Sequence, residues 1–260
     1  MEWGTVSTAS ILGMVFTLII SVGIPFILMA IIRRKTRARI SSFFIGCGIF
    51  LVFALILEQI LHVVVQMTVG AMLQENIFLY GLYGGLAAAL FEETGRYIAM
   101  RFFMKERLDK GNALMYGVGH GGIEAILIVG ITSVNNIATS IMINSGGIQA
   151  TMAMLDPELA ETTYQQLEAL WQLPAYQFYI GGVERMCAIA LQICLSVLVY
   201  KTVKTGERKY FAGAFLLHFA VDFLTVVTAS ALSVWAVEAV LVITVAVIGG
   251  CTIRLYRVDE

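Results

Sequence analysis

The chain has 260 residues, of which 59% are hydrophobic and only 13% charged, and its net charge is −1. Its mean hydropathy is +0.84. That charge content is about half of what a soluble domain carries, which excludes a disordered chain, a nucleic-acid binder and an ordinary soluble enzyme, and leaves a polytopic membrane protein.

Seven apolar runs are long enough to cross a bilayer at about 20 residues each. They lie near Ala9–Ile32, Phe43–Gln66, Phe78–Met104, Ala113–Val134, Tyr176–Tyr200, Tyr210–Ala229 and Leu232–Ile253, the third and fourth being interrupted by polar residues. The start, Met1-Glu2-Trp3, has no basic region, so the first run reads as a retained span and not a cleaved signal. One long connection remains, near Asn135–Trp171, with Asn135 and Asn136 as helix-end or loop residues. It carries Asp156, Glu158, Glu161 and Glu168 and no base. Asp156-Pro157-Glu158 has the pattern of an N-cap followed by proline at the first helical position. An amphipathic helix over 156–171 is expected there, lying on the outer surface as a packing element. The four cysteines, Cys47, Cys187, Cys194 and Cys251, show no CxxC spacing and read as small buried hydrophobes.

Positive charge sorts by connection. Of the 17 Lys and Arg residues, all but Arg96 and Arg185 fall in four places: the first connection (Arg33, Arg34, Lys35, Arg37, Arg39), the connection after the third run (Arg101, Lys105, Arg107, Lys110), the one after the fifth (Lys201, Lys204, Arg208, Lys209), and the C-terminal end (Arg254, Arg257). Cytoplasmic loops retain positive charge. The expectation is therefore an all-α bundle of about seven transmembrane helices, one integral membrane domain over 1–260, multi-pass in the cell membrane, with the N-terminus outside and the C-terminus cytoplasmic. No internal repeat is evident.

The charges left inside the apolar runs carry the functional reading. They are Glu58, Glu92, Glu93, Arg96, Glu124, Glu184, Arg185 and Asp222, accompanied by all three histidines, His62, His120 and His218. A charge facing lipid at a span centre costs roughly 2.5–3.5 kcal/mol on insertion scales, so these groups must face the interior, pair, or stay neutral. Glu92 and Arg96, His120 and Glu124, His218 and Asp222, and Glu58 and His62 are each four residues apart, and positions four apart share a helix face. At about 1.5 Å per residue, Glu92 and Glu93 lie about 16–18 Å from the cytoplasmic end of their span. His120 and His218 lie at about 10–12 Å, with Glu124 and Asp222 about 6 Å deeper. These three stripes are expected to meet in one layer. Glu58, His62, Glu184 and Arg185 fall nearer the outer half and read as pairs fixing helix register.

Carboxylates, imidazoles and a guanidinium converging in a dry interior suit hydrolysis. A carboxylate can take a proton from water, and a histidine or Arg96 can donate to a developing oxyanion. Alternatively His120, His218 and a glutamate bind zinc and polarise the water; the absence of HExxH excludes the common zincin arrangement. Gly81, Gly84 and Gly85 precede the glutamate pair, and Gly117, Gly119, Gly121 and Gly122 surround His120. They read first as close helix packing.

Glu92-Glu93-Thr94-Gly95-Arg96, His120-Gly121-Gly122-Ile123-Glu124 and His218-Phe219-Ala220-Val221-Asp222 together resemble the CAAX protease and bacteriocin-processing superfamily and the related PrsW proteases. The segment Phe91–Tyr97 with Gly117–Ala125 looks most like the YhfC-type family of intramembrane peptidases. Arg96 stands where PrsW-type proteins carry lysine, and His120 with Glu124 occupies the middle motif without matching it fully. The resemblance implies an intramembrane protease that hydrolyses a peptide bond in or near the bilayer, with Glu92 and Glu93 as the water-activating pair. It implies His120 and His218 as assisting groups, with Arg96, Glu124 and Asp222 completing the site. If zinc is the cofactor, His120, His218 and Glu93 are the expected ligands. The expected partners are the lipid bilayer and a membrane protein or lipidated peptide as substrate, with no nucleic acid. The alternative from the residues alone is a proton-coupled transporter using the same cluster, against which the missing repeats count.

Overall fold

The computed structural model describes residues 2–257, and among them the regular structure is helical throughout, with no strand. The helices are α1 (Thr8–Thr36), α2 (Ile40–Val52), α3 (Gln59–Glu75), α4 (Ile77–Ile98), α5 (Lys110–Glu124), α6 (Ile131–Asn144), α7 (Gly147–Met152), α8 (Pro157–Gln172), α9 (Ala175–Thr205), α10 (Arg208–Ala229) and α11 (Val234–Arg257). Three π-helical turns interrupt the α-helical hydrogen bonding, at Phe53–Glu58, Ala99–Phe103 and Ala125–Gly130. The first joins α2 to α3 and the third joins α5 to α6, so Ile40–Glu75 and Lys110–Asn144 are continuous spans.

Among the described residues six helical stretches are long and apolar enough to cross a membrane: Thr8–Thr36, Ile40–Glu75, Lys110–Asn144, Ala175–Thr205, Arg208–Ala229 and Val234–Arg257. The seventh expected span corresponds to α4. Its 22 residues would reach about 33 Å, but Glu92, Glu93 and Arg96 lower its apolarity. The protein is thus an all-helical, multi-pass membrane protein.

Two spans run further than their apolar sequence suggests, past Gln66 to Glu75 and past Val134 to Asn144. Asn135 and Asn136 therefore lie within α6, not in a loop. A polar residue continues a helix when its side chain satisfies the helix's own backbone or leaves it alone. Here the Ser140 hydroxyl donates to the Asn136 carbonyl at 2.6 Å. The helix ends just before Gly146, which takes φ 78°, a left-handed conformation that suits glycine.

By internal packing the chain divides into two compact units. One comprises the chain up to Ile24 together with Ala125–Met186. Its core gathers Val6, Met14, Ile143 and Leu170, flanked by Trp3, Leu167, Trp171 and Phe178. The Asn144 side chain accepts from the Val6 N–H at 2.8 Å and donates to the Val6 carbonyl at 2.9 Å, which pins the N-terminal segment to the end of α6. The acidic helix expected from the sequence is α8. Asp156 caps it, accepting from the Glu158 N–H at 3.0 Å, with Pro157 at its start. Ala160 and Leu170 on α8 are buried, so the helix is a packing element of this unit. Glu184 and Arg185 pair with each other at 2.5 Å.

The second unit comprises Pro25–Glu124 and the chain from Cys187 onward. In it α2 packs along α5 and α4 along α10. Glycine is what permits the first contact. A Cβ added at Gly119 would overlap the Phe43 carbonyl oxygen and lie 2.7 Å from the Phe43 carbonyl carbon; one added at Gly46 would overlap the Tyr116 carbonyl oxygen. Gly117 and Gly121 meet α9 in the same way, with an added Cβ 2.8 Å from Ile193 Cα and 2.9 Å from Gln192 Cβ respectively. Small residues that admit a neighbouring backbone are how membrane helices pack. The core below this contact holds Ile49, Met100, Met104, Tyr116, Leu195 and Val199. Phe44, Ile60, Phe78, Leu90 and Ile243 stay exposed, as a lipid-facing surface requires.

Candidate active site

The polar residues of the second unit converge from four helices. α4 supplies Glu92, Glu93 and Arg96, α5 supplies His120 and Glu124, α9 supplies Gln192, and α10 supplies His218 and Asp222. Glu93, Arg96 and His120 are fully buried, and Glu92, Gln192 and His218 nearly so. Burial at this density requires mutual satisfaction, and most of the groups achieve it.

Glu92 Oε2 lies 2.8 Å from His120 Nε2, accepts from Gln192 Nε2 at 2.9 Å, and is 3.9 Å from His218 Nε2. Glu93 Oε1 lies 2.8 Å from His218 Nδ1 and 3.3 Å from an Arg96 terminal nitrogen. His218 Nε2 is 3.5 Å from Asp222 Oδ2. Both ring nitrogens of His218 therefore face carboxylate oxygens, Nδ1 at hydrogen-bonding distance and Nε2 at ion-pair distance. The His120 ring packs edge-on against Phe50 of α2 at 5.3 Å and tilted against Tyr116 at 5.9 Å. Within this cluster four buried polar atoms keep no hydrogen-bonding partner among the described residues: Glu93 Oε2, Arg96 Nε, His120 Nδ1 and the Tyr116 hydroxyl.

The two adjacent glutamates are separated in role by geometry. Successive helical residues point about 100° apart. Glu92 turns to His120 and Gln192, while Glu93 turns to Arg96 and His218. The Glu92 side chain keeps 9% of its surface accessible and that of Glu93 none, so only Glu92 of the pair can meet a substrate or solvent molecule without rearrangement. The four-residue spacing puts Glu92 and Arg96 on one helix face. Arg96 bonds to Glu93 and to the Gln192 side-chain and backbone oxygens, while Glu92 Oε2 meets His120 and Gln192.

All seven residues singled out by charge and spacing are in this cluster or at its edge. Glu124 joins it through Gln192 Nε2, which donates to Glu124 Oε2 at 3.1 Å. Gln192 itself escaped a reading based on charge. Its amide is neutral, yet it accepts from Arg96 and donates to Glu92 and to Glu124, spending both donors and one of its two lone pairs on three charged groups. Its sequence signal is only a lone amide in an apolar span. Glu58 pairs with His62 at 3.1 Å, and His62 Nδ1 meets the Tyr83 hydroxyl at 2.6 Å. Glu58 is buried, and through His62 it is tied to Tyr83 of α4, the helix that carries Glu92 and Glu93.

Ionisable side chains held dry and mutually bonded inside a helical membrane protein define a class, that of multi-pass membrane proteins with a buried polar site. Within it, this chain belongs to the YhfC family. A family model described as "YhfC intramembrane metalloprotease" matches residues 20–246. The chain is also 42% identical over 199 residues to "Uncharacterized membrane protein YhfC" of Bacillus subtilis (strain 168), a match covering 75% of this chain and 76% of that protein. No solved structure matches.

The family description implies a metal ion, and the donor set can be tested for one. Among the described residues no group of three His, Cys, Asp or Glu side chains is arranged to hold a metal. Two ligands bound at about 2.0–2.2 Å in a tetrahedral site stand more than about 3 Å apart. Glu92 Oε2 and His120 Nε2, at 2.8 Å, are instead at hydrogen-bonding distance. Glu93, expected as the third ligand of a zinc site, has its Oε1 engaged by Arg96 and His218 Nδ1. As they stand, these residues fit a hydrogen-bonded network and not a ligand set.

Proposed function

We propose that this protein is an intramembrane endopeptidase in which Glu92 activates the attacking water. The observation that supports this most directly is the position of Glu92, the one accessible carboxylate of the pair, with the Nε2 atoms of His120 and His218 both turned toward it. Glu92 takes a proton as the water oxygen bonds to the scissile carbonyl carbon. The carbonyl oxygen gains negative charge, and an N–H at His218 Nε2 is placed to donate to it. As the C–N bond breaks, the proton held by Glu92 passes to the departing amine. His120 fixes the Glu92 carboxylate, while Glu93 holds His218 by Nδ1 and is itself held by Arg96. Gln192 ties Glu92, Glu124 and Arg96 together, and Asp222 aligns the outer edge of His218. The substrate on this reading is a membrane protein or a lipidated peptide that reaches the site within the bilayer.

The family description as a protease favours this reading over a transporter. The donor geometry favours water activated by carboxylate without a metal step. The test is a comparison of cellular protein N-termini between cells carrying the parent and Glu92→Gln, with Glu93→Gln alongside. Loss of a general base lowers the rate by about 100-fold or more, so a defined set of N-termini should vanish in both variants while thermal melting shows them folded. An unchanged N-terminal profile in a folded Glu92→Gln protein would overturn the proposal.

A further inference from the structure

A second polar feature of the same unit lies away from the buried cluster, at the end of the helices that the charge distribution assigns to the cytoplasm. Two cavities meet there at Arg101. One, of about 350 Å³, is lined by Met100, Arg101, Phe102, Lys105, Leu108, Val203 and Lys204. The other, of about 440 Å³, is lined by Tyr97, Arg101, Thr202, Gly206, Arg208 and Phe211. Arg101 sits in the π turn Ala99–Phe103, and Gly206, with φ 78°, makes the tight turn that carries the chain from α9 to α10.

From these cavities we infer a binding site for the phosphate of an anionic phospholipid of the adjacent leaflet, centred on Arg101. Three lines of argument converge. The lining supplies four cationic side chains, Arg101, Lys105, Lys204 and Arg208, and no carboxylate among the described residues. Charges needed only to set topology have no reason to gather around one concavity. Thr202 and Tyr97 add neutral polar groups to the second cavity, where Arg101 and Arg208 can form the charge-assisted bonds that suit phosphate. The remaining walls are apolar, and Phe102, which lines the first cavity, is 66% exposed. Free phosphate has no use for such walls, whereas the glycerol and upper acyl chain of a lipid would lie on them. Basic pockets between transmembrane helices at the cytoplasmic face are where anionic headgroups bind, and a volume of several hundred Å³ is of ligand size. Arg101 follows Glu92 on the same helical run by about 13 Å of rise, so a lipid held there would brace the end of the helix that carries the catalytic glutamates. The inference itself does not depend on the peptidase reading.

The experiment is native mass spectrometry of the delipidated full-length protein in detergent, offered phosphatidylglycerol, phosphatidylcholine or sodium phosphate. The variants are Arg101→Gln and Lys204→Gln, with Arg34→Gln, an exposed base at the end of α1, as the control of equal charge change. The expected result is a phosphatidylglycerol adduct that phosphatidylcholine does not replace and that millimolar phosphate does not displace. Its occupancy should fall at least tenfold in Arg101→Gln, several-fold in Lys204→Gln, and less than twofold in Arg34→Gln. Equal losses in all three variants would reduce the effect to general charge attraction and overturn the site. Displacement by phosphate would overturn its assignment to lipid. If Arg101→Gln fails to fold, Lys204→Gln, whose side chain is exposed, carries the same comparison against Arg34→Gln.

Discussion

Replacing Gly119 by alanine should separate α2 from α5, and the size of the effect follows from what the new methyl group would meet. Its Cβ would overlap the Phe43 carbonyl oxygen and stand 2.7 Å and 2.8 Å from the Phe43 carbonyl carbon and Cα. Carbon atoms are at their best at about 3.5–4.0 Å, so α2 must retreat by roughly 1 Å. The obstruction is backbone, and no rotamer change relieves it. Overpacking of this kind costs about 1–3 kcal/mol, and an unyielding obstacle places it at the upper end. Alanine returns about 1 kcal/mol through its better helix propensity, leaving a net loss of about 2 kcal/mol. For a chain of this size that lowers the melting temperature by about 4–8 °C. The retreat would also loosen the Cys47 thiol from the Gly119 carbonyl, now 3.2 Å apart, and draw Phe50 away from the His120 ring. Gly84→Ala is the matched control, because an added Cβ there meets nothing within 4 Å among the described residues, and propensity alone should raise stability by about 1 kcal/mol. The assay is thermal melting of the detergent-purified proteins side by side. If Gly119→Ala melts as high as Gly84→Ala, the close α2–α5 contact and the reasoning built on it are wrong.

Gln192→Leu keeps the volume of the side chain but strips bonds from Arg96, Glu92 and Glu124, each worth about 1.5–3 kcal/mol when one partner is charged. It should destabilise the protein by more than Gly119→Ala in the same melting assay, and equal stability to the parent would show the network to be slack. Metal analysis of protein purified without chelator and offered zinc should find well under one equivalent bound. Near-stoichiometric zinc that disappears in a His120→Ala/His218→Ala variant would refute the metal-free reading and assign both imidazoles as ligands.

Much of this arrangement could be read in advance, for identifiable physical reasons. A charge in an apolar helix is expensive enough that its position betrays an interior face, and the His120/Glu124 and His218/Asp222 spacings placed two such faces without any structure. Hydrogen bonding is less visible than charge. Nothing in the code distinguishes the amide of Gln192 from any other polar residue in a span, although it contacts more of the site's charged groups than Arg96 does. Partner choice is also invisible at four-residue resolution: Arg96 shares a face with Glu92, yet its ion pair is with Glu93. Helix ends were underestimated where polarity rose before the helix stopped, as at Asn135 and Asn136.

Those π turns bear on how the protein can change over time. A π turn accommodates one residue more than an α-helical turn, and each of the three lies beside an ionisable residue: one ends at Glu58, one begins just beyond Arg96, and one begins after Glu124. Deleting a single residue within such a turn lets it close to ordinary α-helix. The flanking segments then keep their orientation, whereas the same deletion elsewhere in a span would swing everything beyond it by about 100°. These spans therefore have built-in places where length can vary by one without turning a glutamate toward lipid.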